Sequence, residues 1–566
     1  MKKQEFTDTL LEKYSFKGDS IALGGAMLDG ECQPGPGVTL SPRTLNRHGL
    51  IAGATGTGKT KTLQILAEQL ALKGVPSLLM DIKGDLSGIA QPAANHPKIE
   101  ERHMQIGFAF EAGATTVELL SLSDEPGVRL RATVTEFGPV LFSKILGLND
   151  TQSGVVAVVF KYCDDQGLPL LDLKDFKKTL QFITNEGKAE VEAEYGRIST
   201  ASTGTIIRQV IALEAQGAER FFGERSFEVD DLLRVDGKGN GIVSILRLTD
   251  LQDRPALFST FMMSLLAEIY TAFPEEGDAE APKLCIFIDE AHLMFDQASK
   301  ALLNQIETVV KLIRSKGVGI FFVTQSPVDI PDAVLGQLGL KIQHALRAFT
   351  AKDRKAIKLA VQNFPETKFY NIEELITSLG TGEALVTALN EKGIPTPLVH
   401  TLLRAPQSRM DVLTDQEIAA IVASSRLVKK YNQQVDRESA YEILKEKIDE
   451  ANQEQQREAM RKQQEKGGSS PRSTTTRKEE SIIESLSRNT MVRQVGNTAM
   501  REITRGLLGV LGLGANPSPP TQGSPSWEKR GAQTPRGPGA ACGGGEKTPA
   551  APRPRSEKAR KNSSIH

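Results

Sequence analysis

Leu50-Ile51-Ala52-Gly53-Ala54-Thr55-Gly56-Thr57-Gly58-Lys59-Thr60 decides how this chain is read. Its last eight residues match G-x-x-x-x-G-K-[ST] at every fixed position. The flanks agree with the motif. Leu50-Ile51-Ala52 is a short buried strand, Leu63, Leu66 and Leu70 mark one face of a helix, and Gly74 stops that helix. Strand, glycine-rich turn and helix together form a phosphate cradle. The glycines let consecutive backbone N–H groups turn inward, and the helix N-terminus adds partial positive charge. Gly53, Thr55, Gly56, Thr57, Gly58, Lys59 and Thr60 are therefore the expected ATP-binding residues. Lys59 would reach the β- and γ-phosphates, and the Thr60 hydroxyl would ligate Mg²⁺.

A second apolar strand, Leu284-Cys285-Ile286-Phe287-Ile288, ends in Asp289-Glu290. One carboxylate suits the Mg²⁺ ion and the other suits the attacking water, because phosphoryl transfer is mostly positioning and charge stabilisation. Asp289 is assigned to the metal and Glu290 to the water; the alternative is that the pair caps the helix that follows. A third strand, Gly319–Thr324, runs into Gln325, either a γ-phosphate sensor or a loop amide bonded to nearby backbone. A fourth, Pro76–Met80, runs into Asp81-Ile82-Lys83-Gly84-Asp85. There Asp81 or Lys83 faces the phosphates or a neighbouring subunit, or else Asp85 caps the next helix. Arg314 and Arg347 are candidates for an arginine that completes the site of an adjacent protomer, or are structural.

The remaining sequence sets the frame. Apolar strands at Gly241–Leu248, Leu284–Asp289, Gly319–Thr324, Lys341–Leu346 and Glu383–Leu389 alternate with helical stretches, predicting a mostly parallel, covered sheet. The expected class is α/β, a RecA-like P-loop NTPase core. The expected organisation is a short N-terminal segment (1–47), the core in two parts (48–125 and 236–405), a helical insertion (126–235), a helical C-terminal extension (406–466), a linker (467–478), an amphipathic segment (479–514) and a disordered basic tail (515–566). Within the insertion, Leu173, Phe176, Leu180 and Ile183 share one helix face, and a further helix is expected near Thr205–Ala215.

Composition limits the function classes. The formal net charge is -1, which argues against a simple basic nucleic-acid coat. That balance is uneven: residues 515–566 carry nine Lys/Arg against three Asp/Glu, so the preceding body is acidic. Apolar runs such as Val155–Phe160 are strand-sized and far below the ~20 residues of a membrane span. The first ten residues, MKKQEFTDTL, hold no signal-peptide core. Cys32, Cys163, Cys285 and Cys542 lie far apart, which predicts a reduced, cytoplasmic protein without a disulfide framework or a zinc pair. The seven histidines show no metal-ligand spacing, and no Ser-His-Asp arrangement or nuclease signature is present.

With Asn46-Arg47-His48-Gly49 leading into the P-loop, the chain resembles the bacterial HerA-like branch of the HerA–FtsK class of P-loop motor ATPases. Asp81–Leu86, Phe221-Phe222-Gly223-Glu224, Ile288–His292 and Thr324-Gln325-Ser326-Pro327 carry the same resemblance, which runs from about Ser20 to Gly514. It implies a homo-oligomeric ring, in the class a hexamer, that moves DNA through a central channel, with trans-acting arginines at the ATP site and a nuclease as partner. The first 47 residues are short for a full β-barrel of the HerA type. The other reading is a nucleotide-dependent scaffold or switch that acts on a protein partner, for which the amphipathic Ile482–Leu513 stretch would serve.

Overall fold

The computed structural model describes residues 2–466 apart from 252–253, 278, 296–299, 434 and 436. The expected linker, amphipathic segment and tail lie outside the described residues. Among the described residues twelve strands form one sheet: β1 (Ile21–Leu28), β2 (Glu31–Leu40), β3 (Gly49–Ala52), β4 (Ser77–Asp81), β5 (Val117–Ser121), β6 (Val128–Arg129), β7 (Val243–Arg247), β8 (Leu284–Ile288), β9 (Val318–Thr324), β10 (Leu340–Gln343), β11 (Glu383–Thr387) and β12 (Val399–Leu403). Their order is β2-β1-β12-β11-β10-β3-β9-β8-β4-β7-β5-β6. From β10 to β6 every neighbouring pair is parallel, while the β2-β1-β12-β11-β10 side is antiparallel. The chain is thus a mixed α/β protein with a mostly parallel sheet.

Alternation along the P-loop strand splits the core into two layers. Leu50 and Ala52 pack with the insertion on one face, and Ile51 packs with Leu63, Leu66 and Leu70 of the P-loop helix on the other. A parallel strand covered on both faces must be apolar throughout, as these are.

The N-terminal 47 residues hold a helix (Lys2–Lys13) and two strands. Pro34 and Pro36 hide β2 from a sequence reading; it is the edge strand, where a missing N–H removes no ladder bond. The strand-sized run Val155–Phe160 lies inside a helix, Asp150–Gln166. Asn149 and Gln152 form a capping box at its start, and Gly167, at φ 65°, closes its end. The run at Lys341–Leu346 ends as a strand at Gln343, because Ala345 and Leu346 leave the sheet to pack with Ile357 and Ile376. The helices at Leu173–Thr184 and Thr200–Ala215 match the insertion periodicity.

The chain after residue 410 returns to the insertion. Tyr431 is fully buried against Phe227, its hydroxyl donates to Asp231 Oδ2 at 2.5 Å, and Tyr441 N donates to Asp175 Oδ1 at 2.9 Å. Cys32, Cys163 and Cys285 are free thiols. Among the described residues no helix is long and apolar enough to cross a membrane, and no group of three or more His, Cys, Asp or Glu could hold a metal ion.

Candidate nucleotide site

The site is built where β3, β9 and β8 end side by side. Gly53 N donates to Thr324 O at 3.2 Å, which fastens the first P-loop residue to the end of β9. Ala54 N donates to Ala345 O at 2.8 Å on the other side, just beyond β10. Ala291 N donates to Val323 O at 2.9 Å and holds the end of β8 against β9. The P-loop and the acidic pair therefore flank the strand that carries Gln325, at the carboxyl ends where open parallel sheets place ligands.

The loop itself is a left-handed turn that only glycine accepts easily. Gly58, at φ 114°, precedes the helix Lys59–Leu72, whose first N–H groups have no side-chain cap. An uncapped N-terminus at the end of a glycine nest is an anion site. Thr57 Oγ1 donates back to Ala54 O at 2.7 Å, and Gly382 N donates to Thr57 O at 3.1 Å. Arg102 fixes that second contact from behind, donating to Gly382 O at 3.2 Å, Thr381 O at 3.3 Å and Leu403 O at 3.1 Å.

His344 closes the underside of the loop. Its Nε2 lies 2.9 Å from Thr62 Oγ1 on the P-loop helix, and its backbone N donates to Ala52 O at 2.7 Å. Burial, reinforced by the charge of Lys59, lowers its pKa to about 4, so the ring is neutral. Lys59 is buried, and its Nζ reaches Ala54 O at 3.3 Å. Burial, then repulsion from Lys83, lowers its pKa. A carbonyl is a weak partner for a buried ammonium, which leaves Lys59 strongly biased toward an anion.

The carboxylates sit opposite. Asp289 is buried and its Oδ2 has no hydrogen-bond partner. Burial outweighs the pull of Lys83 and raises its pKa to about 6. Glu290, at φ 45°, is left-handed in its backbone and buried in its side chain. Lys83 Nζ forms an ion pair with Glu290 Oε1 and lies 3.8 Å from Asp289 Oδ2, while His292 Nδ1 lies 3.2 Å from Glu290 Oε2. Burial opposes the charge on Lys83, but Asp289 and Glu290 outweigh it and its pKa is raised. Lys83 is a third exposed and faces two acids, whereas Asp289 is fully enclosed, so the two partners shift the same way.

Asp81 is a turn builder. Its Oδ1 accepts from Gly84 N at 2.7 Å and Asp85 N at 3.1 Å, and its Oδ2 accepts from Leu86 N at 3.2 Å. Asp85 caps no helix; its Oδ1 is buried without a partner.

The fold thus brings Gly53–Thr60, Asp289, Glu290 and the exposed Gln325 to one end of the sheet. Arg347 lies beyond the same end of β10, where it donates to Thr377 O at 2.7 Å and Leu379 O at 3.4 Å at the end of the helix Ile372–Ser378. Arg314 is not with them. It is exposed in a turn that precedes β9, at the end of the strand away from Gly53. His344 and Arg102 escaped a motif-based reading, because their roles come from contacts between distant segments, while Lys83, a candidate for the phosphates or a neighbouring subunit, is paired with Glu290.

The residues present fit Mg²⁺ and a nucleoside triphosphate. The uncapped helix start and Lys59 suit the phosphates, and the buried, orphaned Asp289 oxygen suits a hard cation that keeps water and phosphate oxygens among its ligands.

Over 361 residues the chain is 24% identical to the DNA double-strand break repair helicase HerA of Sulfolobus acidocaldarius, covering 62% of this chain and 63% of that protein. It therefore spans less than two thirds of that relative. Over 418 residues it is 23% identical to a probable helicase of Methanocaldococcus jannaschii, covering 67% of this chain and 70% of the other. Among solved structures it is similar to the unbound form of the bacterial conjugative coupling protein TrwB, with 14% identity, 72% of this chain and 94% of that one covered, and a TM-score of 0.47. Residues 27–516 match the family described as Helicase HerA-like C-terminal, and the chain belongs to that family.

Proposed function

We propose that this chain is an ATP-hydrolysing, ring-forming motor that acts on DNA as a translocase or helicase. The observation that carries the reading is the convergence of the P-loop, Asp289 and Glu290 on the ends of three adjacent strands. The glycine nest and Lys59 would hold the phosphates, and Thr60 with Asp289 would hold Mg²⁺. That ion, when bound, would offset the charge on the β- and γ-phosphates. Glu290 would orient the attacking water and accept its proton as the bond between the γ-phosphorus and the leaving ADP oxygen breaks. Gln325, between the two halves of the site, would contact the γ-phosphate or that water.

The two arginines differ in what they are able to do. Arg314 stands across β9 from its own P-loop, a span of about 20 Å for a seven-residue strand. It therefore serves a neighbouring subunit or no ATP site at all. A ring in which the amino edge of one sheet faces the carboxyl edge of the next gives Arg314 that role, with a hexamer as the expected count. Arg347 lies on the same side as its own P-loop, and its guanidinium is committed to helix-end carbonyls. DNA as substrate is supported by family membership and by the helicase names of the relatives. A nuclease partner would supply any cleavage.

The test is Mg²⁺-dependent ATP turnover, with and without DNA, for the wild type, Lys59→Ala and Glu290→Gln. Lys59→Ala should abolish most binding and turnover. Glu290→Gln should keep binding and lose turnover. Activity unchanged in Lys59→Ala would overturn the site assignment.

A further inference from the structure

We propose that Lys83 is a positioning residue for Glu290, acting on hydrolysis through that carboxylate and not by holding phosphate itself. The inference rests on the ATPase reading above and assigns a residue to it.

Three observations carry it. First, Lys83 is placed by a purpose-built turn. β4 and β8 are neighbours in register, Met80 opposite Ile288, so the segment leaving β4 emerges beside Asp289. The Asp81 carboxylate then gathers the N–H groups of Gly84, Asp85 and Leu86, and Gly84 at φ 77° folds the chain back. Lys83 is thereby directed across the end of β8. Second, the buried Glu290 carboxylate is held by Lys83 at Oε1, while Oε2, 3.2 Å from the His292 ring, has no hydrogen-bond partner, so the lysine is its anchor. Third, three acids crowd this corner. Asp85 Oδ1 and Asp289 Oδ2 are both buried without a hydrogen-bond partner, and the Lys83 ammonium pairs with Glu290 and stands 3.8 Å from Asp289 Oδ2. Like charges this close repel strongly where water is excluded. Without the lysine, Glu290 would swing away from its neighbours and lose its aim at the water.

A group that orients the water must be held within a fraction of an ångström of its working position, and loss of the support costs rate more than affinity. The experiment is steady-state ATP turnover of the full chain with Mg²⁺ for the wild type, Lys83→Ala, Lys83→Arg, Glu290→Gln and the Lys83→Ala/Glu290→Gln double variant. Lys83→Ala should lower kcat by about tenfold or more while KM for ATP stays within about twofold. Lys83→Arg should recover most of the loss, which a general packing defect would not allow. Added to Glu290→Gln, Lys83→Ala should change the rate by less than about twofold, because its target is already gone.

A Lys83→Ala loss that multiplies with Glu290→Gln would overturn the proposal. So would a raised KM at unchanged kcat, which makes Lys83 a phosphate ligand, or a raised kcat, which makes it a brake. Should Lys83→Ala fail to fold, Lys83→Met in the same two backgrounds carries the test. Wild-type turnover that Glu290→Gln leaves intact would remove the functional reading and this proposal together. A normal Glu290→Gln loss with an additive Lys83 effect would remove this proposal alone.

Discussion

A Cβ built on Gly53 would stand 2.5 Å from the Cβ of His344 and 3.0 Å from Thr57 Oγ1. The first P-loop glycine is thus fixed by a histidine 291 residues later in the chain, as well as by the phosphates the loop is shaped for. Gly53→Ala should collide with a side chain that has no room to retreat, since His344 is fully buried and bonded to Thr62. The variant should lose about 2 kcal/mol or more of stability and most nucleotide affinity. Thermal unfolding with and without Mg²⁺-ATP reads both losses. Gly56→Ala, which meets nothing within 4 Å but sits at φ 77°, should destabilise less.

His48, part of the string that carries the family resemblance, is a structural post. Its Nδ1 accepts from Ile320 N at 3.0 Å, so its Nε2 carries the proton and donates to Val310 O at 2.8 Å. Burial, only partly offset by the Val310 bond, lowers its pKa from 6.5 to about 4. Between those values the unfolded chain binds a proton that the native chain does not, so stability falls as pH falls. His48→Asn tolerates the φ of 59° at this position but strands the Val310 carbonyl. It should cost about 1–3 kcal/mol at pH 7. That gap should shrink by on the order of 3 kcal/mol or less between pH 6.5 and 4, measured by denaturant titration. A gap constant across that range would show that His48 does not titrate as described.

The arginines separate in mixed assemblies. Arg314→Ala subunits, with an intact P-loop and Glu290, should regain turnover when mixed with Glu290→Gln subunits that still carry Arg314. Arg347→Ala mixed in the same way should show no such recovery, because its guanidinium stays within its own subunit. Recovery for Arg347 alone would reverse the assignment of the two edges.

Much of this was legible in the sequence because its signals are local. The phosphate loop, the apolar strand ending in Asp289-Glu290 and the insertion helix at Leu173–Thr184 each declare themselves within a dozen residues. The edge strand Glu31–Leu40 did not, since its prolines are tolerated only by virtue of its place in the sheet. Nor did His344 or Arg102, whose partners at Thr62 and Gly382 are hundreds of residues away. Arg314 is the instructive case. A residue just before a parallel strand must lie at the end opposite the ligand, so its separation from its own P-loop followed from the sequence alone.

The proposed motor couples ATP turnover at this site to DNA. The most direct test is the steady-state rate of the wild-type chain against increasing duplex and single-stranded DNA, beside Glu290→Gln. For a DNA motor the rate rises with at least one DNA form, and the rise vanishes in Glu290→Gln. A wild-type rate that Glu290→Gln abolishes but that no form of DNA alters would contradict that coupling.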